Sequence, residues 1–279
     1  RQMGPTILQF GTPEQQKTHL PRILDGTTCW AIGMSEPDAG SNVAGIRTRA
    51  ERQGDSFRVN GQKIWTSGAA YADFIYLICR TDPDAPAHAG LSELIVDLHS
   101  PGITIVPITD MTGSRHFCEV YFEDVEVPAE NLVGELNGSF RQVMRQMEHE
   151  RGGIDRLVSN KCLFDAVQPL ADTADPLVRQ ELAAIETGYR IGRLLVLREV
   201  QGQAPKQFSA ATKAFCTEFE QRVAQFCAAT LGPQSMLAEP GLPARVARGL
   251  GYATAYTIMG GTSEILRNIL GERVLGLPK

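Results

Sequence analysis

A carboxylate, Glu150, interrupts an apolar stripe at helical spacing in the second half of the chain. It comes three residues after Met147, which places it about 60° around a helix from that residue. A carboxylate on a buried helix face is costly unless it is ion-paired or functional. Glu150 is therefore either the partner of an arginine or a reactive group, whereas Glu148 and Asp155 fall at the edge of the stripe. The stripe is formed by Phe140, Val143, Met147, Ile154 and Val158.

A polar loop follows a short apolar run near the start of the chain. Residues 29–34 predict a strand, and Ser35-Glu36-Pro37-Asp38-Ala39-Gly40-Ser41 comes after it. Proline, aspartate and glycine turn the backbone, and N–H groups and hydroxyls remain available as donors. Such a loop suits the polar edge of a cofactor or a phosphate, although taken alone it is better explained as an ordinary turn.

Two further segments carry similar groups. Asn60-Gly61 predicts a turn, and the strand predicted after it contains Trp65 and Ser67. Near the end of the chain, Gly260-Gly261 leads into Thr262, a predicted N-cap, and then into a helix. The free N–H groups and the dipole at a helix start suit an anion.

Together, residues 33–41, 61–68 and 260–264 resemble the acyl-CoA dehydrogenase flavoprotein family, and the resemblance extends over residues 11–279. It implies an FAD cofactor and oxidation of a fatty acyl thioester, as in β-oxidation, to the 2-enoyl thioester. In that reaction a carboxylate in a dry pocket removes the α-proton, and the β-hydrogen leaves as hydride to flavin N5.

The position of the base departs from most of the family. Most relatives carry a glutamate directly before the Gly-Thr-Ser of the C-terminal motif, where this chain has Gly260. Relatives resembling isovaleryl-CoA dehydrogenase instead place the base in a helix, immediately before an arginine. The matching pair here is Glu150-Arg151. The resemblance thus predicts Glu150 as the base and the N–H of Gly260 as a donor to the thioester carbonyl.

The resemblance also assigns the cofactor and substrate contacts. Around the flavin ring it places the backbone of Met34, the Ser35 hydroxyl, the covering ring of Trp65, and Ser67. At the flavin phosphates and ribityl chain it places Gly40, Ser41, Thr262 and Glu264. Ser41 and Arg151 are the predicted substrate contacts. Plain core packing of Trp65, loop capping by the serines and N-capping by Thr262 are the alternatives.

The half-site that relatives lend to a neighbouring subunit is largely missing. Relatives use an Arg-x-x-Phe-Gly segment and a Phe-Gly-Gly-x-Gly loop, whereas residues 171–176 and 231–235 of this chain lack the arginine and most of the glycines. We therefore expect a homo- or hetero-tetramer, with pairing to a homologous subunit restoring the site. The expected partners are an acyl-CoA or acyl-carrier thioester and electron-transfer flavoprotein as the electron acceptor.

Two other functions remain open. The chain is a non-catalytic partner subunit if Glu150 is ion-paired and far from flavin N5. It is a flavin monooxygenase on the same fold if the pocket holds oxygen and no carboxylate, since those relatives also lack the C-terminal glutamate.

The elements that carry these residues predict an α+β protein. Residues 1–27 match the tail of a helical N-terminal domain, most of which is expected to be missing. A short helix is predicted to open there, with Thr12 as its cap and Pro13 at its first position. Residues 28–134 are predicted to form the short strands of an antiparallel β-barrel or sandwich, which is the domain on the flavin side. Residues 135–279 read as an antiparallel four-helix bundle.

The helical part contains five predicted helices. The first covers residues 140–170, and the second starts at Asp175-Pro176. The fourth follows Pro243 and the fifth starts at Thr262. The third carries Phe215, Phe219, Val223 and Phe226.

Composition agrees with a soluble enzyme. At 279 residues and 43% hydrophobic content, the chain can bury a large core. A net charge of −5 argues against nucleic acid as the main partner. The six cysteines contain no Cys-x-x-Cys pair, so we predict reduced thiols, no metal site and a cytoplasmic location. No apolar run predicts a membrane span.

Overall fold

The computed structural model describes residues 2–151, 154–237 and 240–278, apart from the side chains of residues 148–150. It divides into two compact units, Arg1–Gln146 and Met147–Lys279. The division predicted from the sequence, at residues 27 and 134, stays a prediction.

The first unit begins with two helices, α1 (Met3–Phe10) and α2 (Pro13–Leu24). Thr12 caps α2 as predicted. Its hydroxyl accepts the N–H of Gln15 at 3.2 Å, and the Gln15 side chain accepts the N–H of Thr12 at 3.0 Å. The amide of Gln15 also donates to the carbonyls of Glu130 and Leu132, at 2.7 and 2.9 Å, which ties α2 to the end of the sheet.

Seven strands form one curled sheet: β1 (Trp30–Gly33), β2 (Arg49–Gln53), β3 (Ser56–Lys63), β4 (Phe74–Arg80), β5 (Leu91–Asp97), β6 (Ile103–Ile108) and β7 (Phe117–Pro128). The order is β1-β4-β2-β3-β7-β6, and β5 also pairs with β4. Most pairs are antiparallel, as predicted, but β1 and β2 each run parallel to β4. Alternate residues of β3, β4, β5 and β7 point into one apolar core, which includes Phe57, Val59, Leu77, Val96, Val120 and Phe122.

The predicted turn at Asn60-Gly61 is wrong. The β2–β3 hairpin turns instead at residues 54–55, and β3 continues through Gly61, where the register with β7 shifts. A Cβ on Gly61 would lie 2.7 Å from the Cα of Thr48, so glycine is required there because the backbone just before β2 passes close. Trp65 lies beyond the end of β3, not in a strand.

The helical part contains α3 (Ser139–Arg151), α4 (Lys161–Val167), α5 (Pro176–Val200), α6 (Ser209–Leu231), α7 (Leu242–Ala253) and α8 (Ser263–Ile269). Short 3₁₀ turns and one π turn, Leu270–Val274, join or extend them. Asp175 caps α5, which begins where the second helix is predicted to start, and Thr262 caps α8 as predicted. The apolar core of the second unit is formed mainly by α4, α5 and α6 and includes Phe164, Ile185, Tyr189, Phe219, Val223 and Phe226.

The single helix predicted over residues 140–170 is wrong. The chain instead forms α3, a 3₁₀ turn at Ile154–Arg156, and α4. Two glycines at 152 and 153 are poor helix formers. In addition, the carboxylate of Glu220 on α6 accepts the N–H of Asn160 just before α4 begins. As a result Ile154 and Val158 are 49% and 42% exposed, and the predicted stripe does not continue through them.

Within the residues that the structure describes, no helix is both long and apolar enough to cross a bilayer. All six cysteines are free thiols, four of them buried.

Candidate active site

The loop after β1 is held by one buried ion pair. Lys63 Nζ lies 2.8 Å from Glu36 Oε1 and also donates to the carbonyl of Met34 at 3.1 Å. The carboxylate of Glu36 accepts the N–H groups of Arg47 and Thr48 at 2.7 and 2.9 Å as well. Every part of the pair therefore has a partner, which is what makes a buried charge tolerable.

The environment shifts both pKa values of this pair. Burial of Glu36 opposes ionisation, but the attraction of Lys63 and the hydrogen bonds outweigh it and hold the pKa of Glu36 below its usual value. Burial lowers the pKa of Lys63, against the attraction of Glu36. The ion pair fixes the backbone at Met34 and Ser35, both predicted flavin contacts.

Sequence reasoning missed Glu36 and Lys63. The signal was a charged residue, Lys63, at a buried position of a strand whose other inward positions are apolar. The ladder of contacts continues past this pair, since the N–H of Ile64 donates to the Ser35 carbonyl at 2.9 Å. The structure thus brings residues 34–35 next to residues 63–64.

Trp65 has a strained backbone and an exposed ring. Its φ is 59°, a left-handed conformation that non-glycine residues rarely adopt, and the residue is 56% exposed. The indole meets Phe117 edge-on at 6.0 Å, and the backbone of Thr66 pairs with Cys118 at 3.0 and 3.2 Å. Strain held by such surrounding contacts is typical of ligand sites.

Several of the predicted cofactor contacts are exposed and so open to a ligand. Ser67, Gly40 and Ser41 are exposed, and a Cβ on Gly40 would meet nothing within 4 Å. Among the described residues, the buried hydroxyl of Thr66 has no hydrogen-bond partner. An exposed aromatic ring, together with exposed backbone and hydroxyl donors elsewhere in the same unit, is the kind of group that a planar cofactor with a polar edge and a phosphate tail would use.

In the second unit, two buried cations hold the turn at Gly260-Gly261. Arg151 Nε donates to the Gly260 carbonyl at 3.4 Å, and Lys213 Nζ donates to the Gly261 carbonyl at 2.9 Å. Lys213 also donates to the Tyr256 carbonyl at 3.3 Å and is fully buried. Sequence reasoning did not identify Lys213, because an isolated lysine in a predicted helix gives no signal of its partners.

The backbone at this turn favours glycine. Gly260 and Gly261 have φ values of 66° and 97°. A side chain at residue 260 is therefore disfavoured by conformation, apart from any question of chemistry. Next to it, the Thr262 hydroxyl accepts the N–H of Ile265 at 3.2 Å, and Glu264 is exposed in the first turn of α8. Hydrogen bonds from its own N–H and from Thr262 lower the pKa of Glu264.

The proposed base itself is not placed. Glu150 belongs to α3, but its side chain, like that of Glu148, lies outside the described residues. Its neighbour Arg151 is buried, contacts the Sδ of Met147 at 3.8 Å, and contacts Gly260. The two positions at which the sequence departs from most of the family are therefore linked through Arg151. The predicted contact of Arg151 with substrate stays a prediction.

Two further buried carboxyls were not predicted. Burial raises the pKa of Glu93 on β5 to about 7 and that of Glu220 on α6 to about 8, although hydrogen bonds oppose both shifts. Glu220 caps the start of α4 and lies beside Tyr189. Burial is the main cause of the raised pKa of Tyr189, and the charge of Glu220 is the next. In the sequence Glu93 is visible only as a charge in a mostly apolar run, and Glu220 lies in a mostly polar stretch, residues 218–222, that gives no sign of its burial.

Comparison with known proteins gives consistent matches. The family model "Acyl-CoA dehydrogenase, middle domain" matches residues 31–125, and "Acyl-CoA dehydrogenase, C-terminal domain" matches residues 137–275. Acyl-CoA dehydrogenase IpdE1 of Mycobacterium tuberculosis is 38% identical, with 99% of this chain and 74% of that relative covered.

Two solved structures have similar folds. One is titled "Tcur3481-Tcur3483 steroid ACAD", with a TM-score of 0.91 and 33% identity, covering 100% of this chain and 76% of the other. The second is the ChsE4-ChsE5 complex from Mycobacterium tuberculosis, with a TM-score of 0.87 and 34% identity, covering 99% and 76%.

Proposed function

The chain belongs to the acyl-CoA dehydrogenase family, and we propose that it catalyses FAD-dependent α,β-dehydrogenation of an acyl thioester with Glu150 as the base. The observation that carries the proposal is the contact between Arg151 and Gly260. It links the residue after the proposed base to the position where most relatives carry theirs. The family is one of flavin-dependent oxidoreductases, which supports the reaction class.

The proposed FAD contacts divide between two groups of residues. Met34, Ser35, Trp65 and Ser67 would meet the isoalloxazine, with the Glu36–Lys63 pair holding the first two in place. The phosphates and the ribityl chain would meet Gly40, Ser41, Thr262 and Glu264. FAD, when bound, supplies an acceptor for the hydride that leaves the β-carbon.

The chain's own groups would do the proton chemistry. The carboxylate of Glu150 takes the α-proton, so that the C–H electron pair becomes the new double bond as the β-hydride departs. The N–H of Gly260 donates to the thioester carbonyl, where negative charge develops. Arg151 holds the Gly260 carbonyl, which belongs to the next peptide along the chain, and so constrains the turn that contains the donating N–H.

Replacing the base tests the proposal. In Glu150→Gln, flavin content and the unfolding midpoint should match the wild type, while anaerobic bleaching of the flavin by an acyl thioester slows by roughly 10²–10⁴-fold. Glu148→Gln is the matched control on the same helix and should react normally. Wild-type rates in Glu150→Gln would exclude Glu150 as the base.

The same experiment separates the alternative functions. A wild-type protein that binds flavin but is not bleached by any thioester would favour the non-catalytic subunit. Rapid oxygen-dependent product formation with incorporation of an oxygen atom would favour the monooxygenase. Re-oxidation of the bleached protein by electron-transfer flavoprotein tests the proposed acceptor.

We propose a bulky acyl group as the substrate, in keeping with a base on the helix. The solved relative titled as a steroid ACAD, at 33% identity, supports a polycyclic acyl thioester in particular. Rates with a steroid-side-chain acyl-CoA and with straight-chain acyl-CoA of equal carbon number, compared at saturation, test this choice. Faster bleaching by the straight chain would contradict it.

We also propose that the chain works beside a homologous subunit. Both solved relatives are titled as pairs of unlike chains. On α5, Ile191 and Leu194 are 42% and 66% exposed, and an open groove of about 410 Å³ lies between α5 and α6. Exposed apolar patches of this kind are typical of interfaces.

Flavin content and mass test this assembly. Native mass spectrometry of the chain alone and co-expressed with a homologous subunit should show flavin retained mainly in the mixed complex, because binding at a completed interface also stabilises it. A homotetramer with one flavin per chain would contradict the pairing and leave the chemistry intact.

A further inference from the structure

Glu93 is a buried carboxylate that receives hydrogen bonds from four side chains. Oε2 accepts the hydroxyl of Tyr76 and, at 2.7 Å, the amide of Gln142. Oε1 accepts the Ser139 hydroxyl at 3.0 Å. The amide of Gln146 lies 3.3 Å from both oxygens. Glu93 itself is fully buried in the middle of β5.

Three of the four donors come from one face of α3. Ser139 is the first residue of the helix, and Gln142 and Gln146 follow at spacings of three and four, so they lie above one another along the axis. A single carboxylate therefore anchors the first two turns of α3 to the sheet. Because α3 continues without interruption to Arg151, that anchor fixes the helix that carries Glu150.

The surroundings of Gln142 show that the anchor is closely fitted. Its amide also donates to the carbonyl of Val133 at 3.2 Å, and the N–H of Val133 donates to the Glu93 carbonyl at 2.9 Å. A Cβ on Gly134 would lie 1.9 Å from the side-chain oxygen of Gln142, so only glycine leaves room for this amide.

The side chains that contact Glu93 are neutral hydrogen-bond donors rather than cations. No lysine or arginine among the described residues forms an ion pair with it. The titratable neighbours are Tyr76 and Cys79. The pKa of Tyr76 is raised mainly by burial and further by the charge of Glu93, and burial raises the pKa of Cys79 to about 12. Both stay neutral at ordinary pH. An ionised carboxylate, which only accepts, suits four donors, while burial favours its protonation.

Such an arrangement contributes little to stability. A buried charge without a cation costs desolvation energy that apolar residues of similar volume would avoid. Its effect is instead to fix the position of α3, because four directed hydrogen bonds leave a helix less freedom to slide or rotate than apolar packing does.

We propose that Glu93 is a positioning residue for the dehydrogenation, acting through Ser139, Gln142 and Gln146 to fix the helix that carries Glu150. This inference rests on the proposed function. A displacement of about 1 Å at a reacting group can cost roughly 100-fold in rate, so an anchor one helical turn before the base bears directly on the rate.

The test compares Glu93→Leu, Glu93→Gln and Gln146→Met with a matched control, Glu220→Gln. Glu220 is the other buried carboxyl with a raised pKa, but it caps α4 rather than α3. All variants are studied as the flavin-loaded full chain, with its partner subunit if flavin binding needs one. Far-UV circular dichroism and thermal unfolding establish which variants are folded.

Two readouts are expected to change together. Hydrogen exchange of the α3 amides should speed up about tenfold or more in Glu93→Leu, and less in Glu93→Gln and Gln146→Met. Bleaching of the flavin at saturating thioester should slow by roughly 10- to 100-fold in the same order, with the KM for thioester nearly unchanged. Glu220→Gln should leave both at wild-type values.

The pH profile provides a further readout that a merely structural role would not change. If Glu93 acts through its carboxylate, the bleaching rate of the wild type plotted against pH should change near the raised pKa of Glu93. This change should be absent in Glu93→Gln. A folded Glu93→Leu with wild-type α3 exchange, or with faster exchange but a wild-type rate, would overturn the proposal.

The Glu150→Gln variant keeps the two proposals distinguishable. If its rate is unchanged, the proposed base fails and the role of Glu93 fails with it. If Glu150→Gln is slow while Glu93→Leu is not, only the role of Glu93 is excluded.

Discussion

Arg151 donates from Nε to the carbonyl oxygen of Gly260 at 3.4 Å, so the end of α3 is joined to the turn before α8. The contact gives one physical reason for two features of the sequence. Gly260 has a left-handed backbone, and its carbonyl is one of the partners of the buried guanidinium of Arg151. A change at either residue should therefore affect the same peptide.

Arg151→Met should slow bleaching of the flavin by thioester about tenfold. The expected loss corresponds to one hydrogen bond from a charged donor, about 1.5 kcal/mol or more. Arg145→Met, an exposed arginine on the same helix, is the control and should change the rate by no more than roughly twofold. Equal rates for the two variants would show that the Gly260 peptide does not depend on Arg151.

Gly260→Ala should destabilise the protein by about 1–2 kcal/mol, because its φ of 66° is unfavourable for any side chain. Gly260→Glu should be no more active than the wild type, since two carboxylates near one carbon repel and raise a pKa. Gly54→Ala is the control: its φ is 60° and its surroundings are open, so it should lose similar stability but keep the rate. A faster Gly260→Glu enzyme would contradict this picture.

Lys63→Met and Glu36→Gln should each cost about 3–5 kcal/mol in the free energy of unfolding, because each leaves a buried group without its partner. The double variant should be less destabilised than the sum, by roughly 0.5–3 kcal/mol. Flavin content should fall in the single variants, since residues 34–35 lose their support. Asp38→Asn, which breaks the exposed pair with Arg47 in the same loop, should change stability by at most about 1 kcal/mol.

The free energy of unfolding should fall as pH rises from about 4.5 to about 7 because of Glu93. The folded pKa lies above the unfolded one, so the folded state binds more protons in this window, and the charged form is disfavoured above it. The change is on the order of 3 kcal/mol. In urea titrations Glu93→Gln should remove this pH-dependent loss of stability. Glu220→Gln should remove a second loss, due to Glu220, that extends to about pH 8. A pH dependence identical to the wild type in Glu93→Gln would contradict the assignment.

Local signals in the sequence predicted local structure well. Thr12, Asp175 and Thr262 each cap the predicted helix, because a cap needs only the next three residues. The order of a mainly antiparallel sheet followed by helices is also confirmed. This order could be predicted because the apolar spacing typical of strands, and then that typical of helices, recurs over many segments of the chain.

The errors concern contacts between distant residues. Asn60-Gly61 has the composition of a turn, but the approach of Thr48 makes it a bulge. The helix predicted to residue 170 ends early, partly because Glu220, sixty residues away, caps the start of α4. The two glycines after Arg151 were a local signal that the apolar period obscured.

The buried charges of the candidate site were harder to predict for the same reason. Strand alternation places Lys63 on the buried side, but the identity of its partner depends on how the loop after β1 folds back. Glu93 similarly has donors from β4 and α3, which only the tertiary structure brings together.

The exposed ring of Trp65 also provides an intrinsic fluorescence probe of flavin binding. Its two tryptophans have different surroundings: Trp30 stacks on Phe74 at 4.9 Å where β1 pairs with β4, whereas Trp65 is more than half exposed. Emission from Trp65 should therefore be red-shifted and should be quenched when a flavin docks, while emission from Trp30 reports unfolding of the sheet. A Trp65→Phe variant leaves Trp30 as the single fluorophore, so the two signals can be read separately.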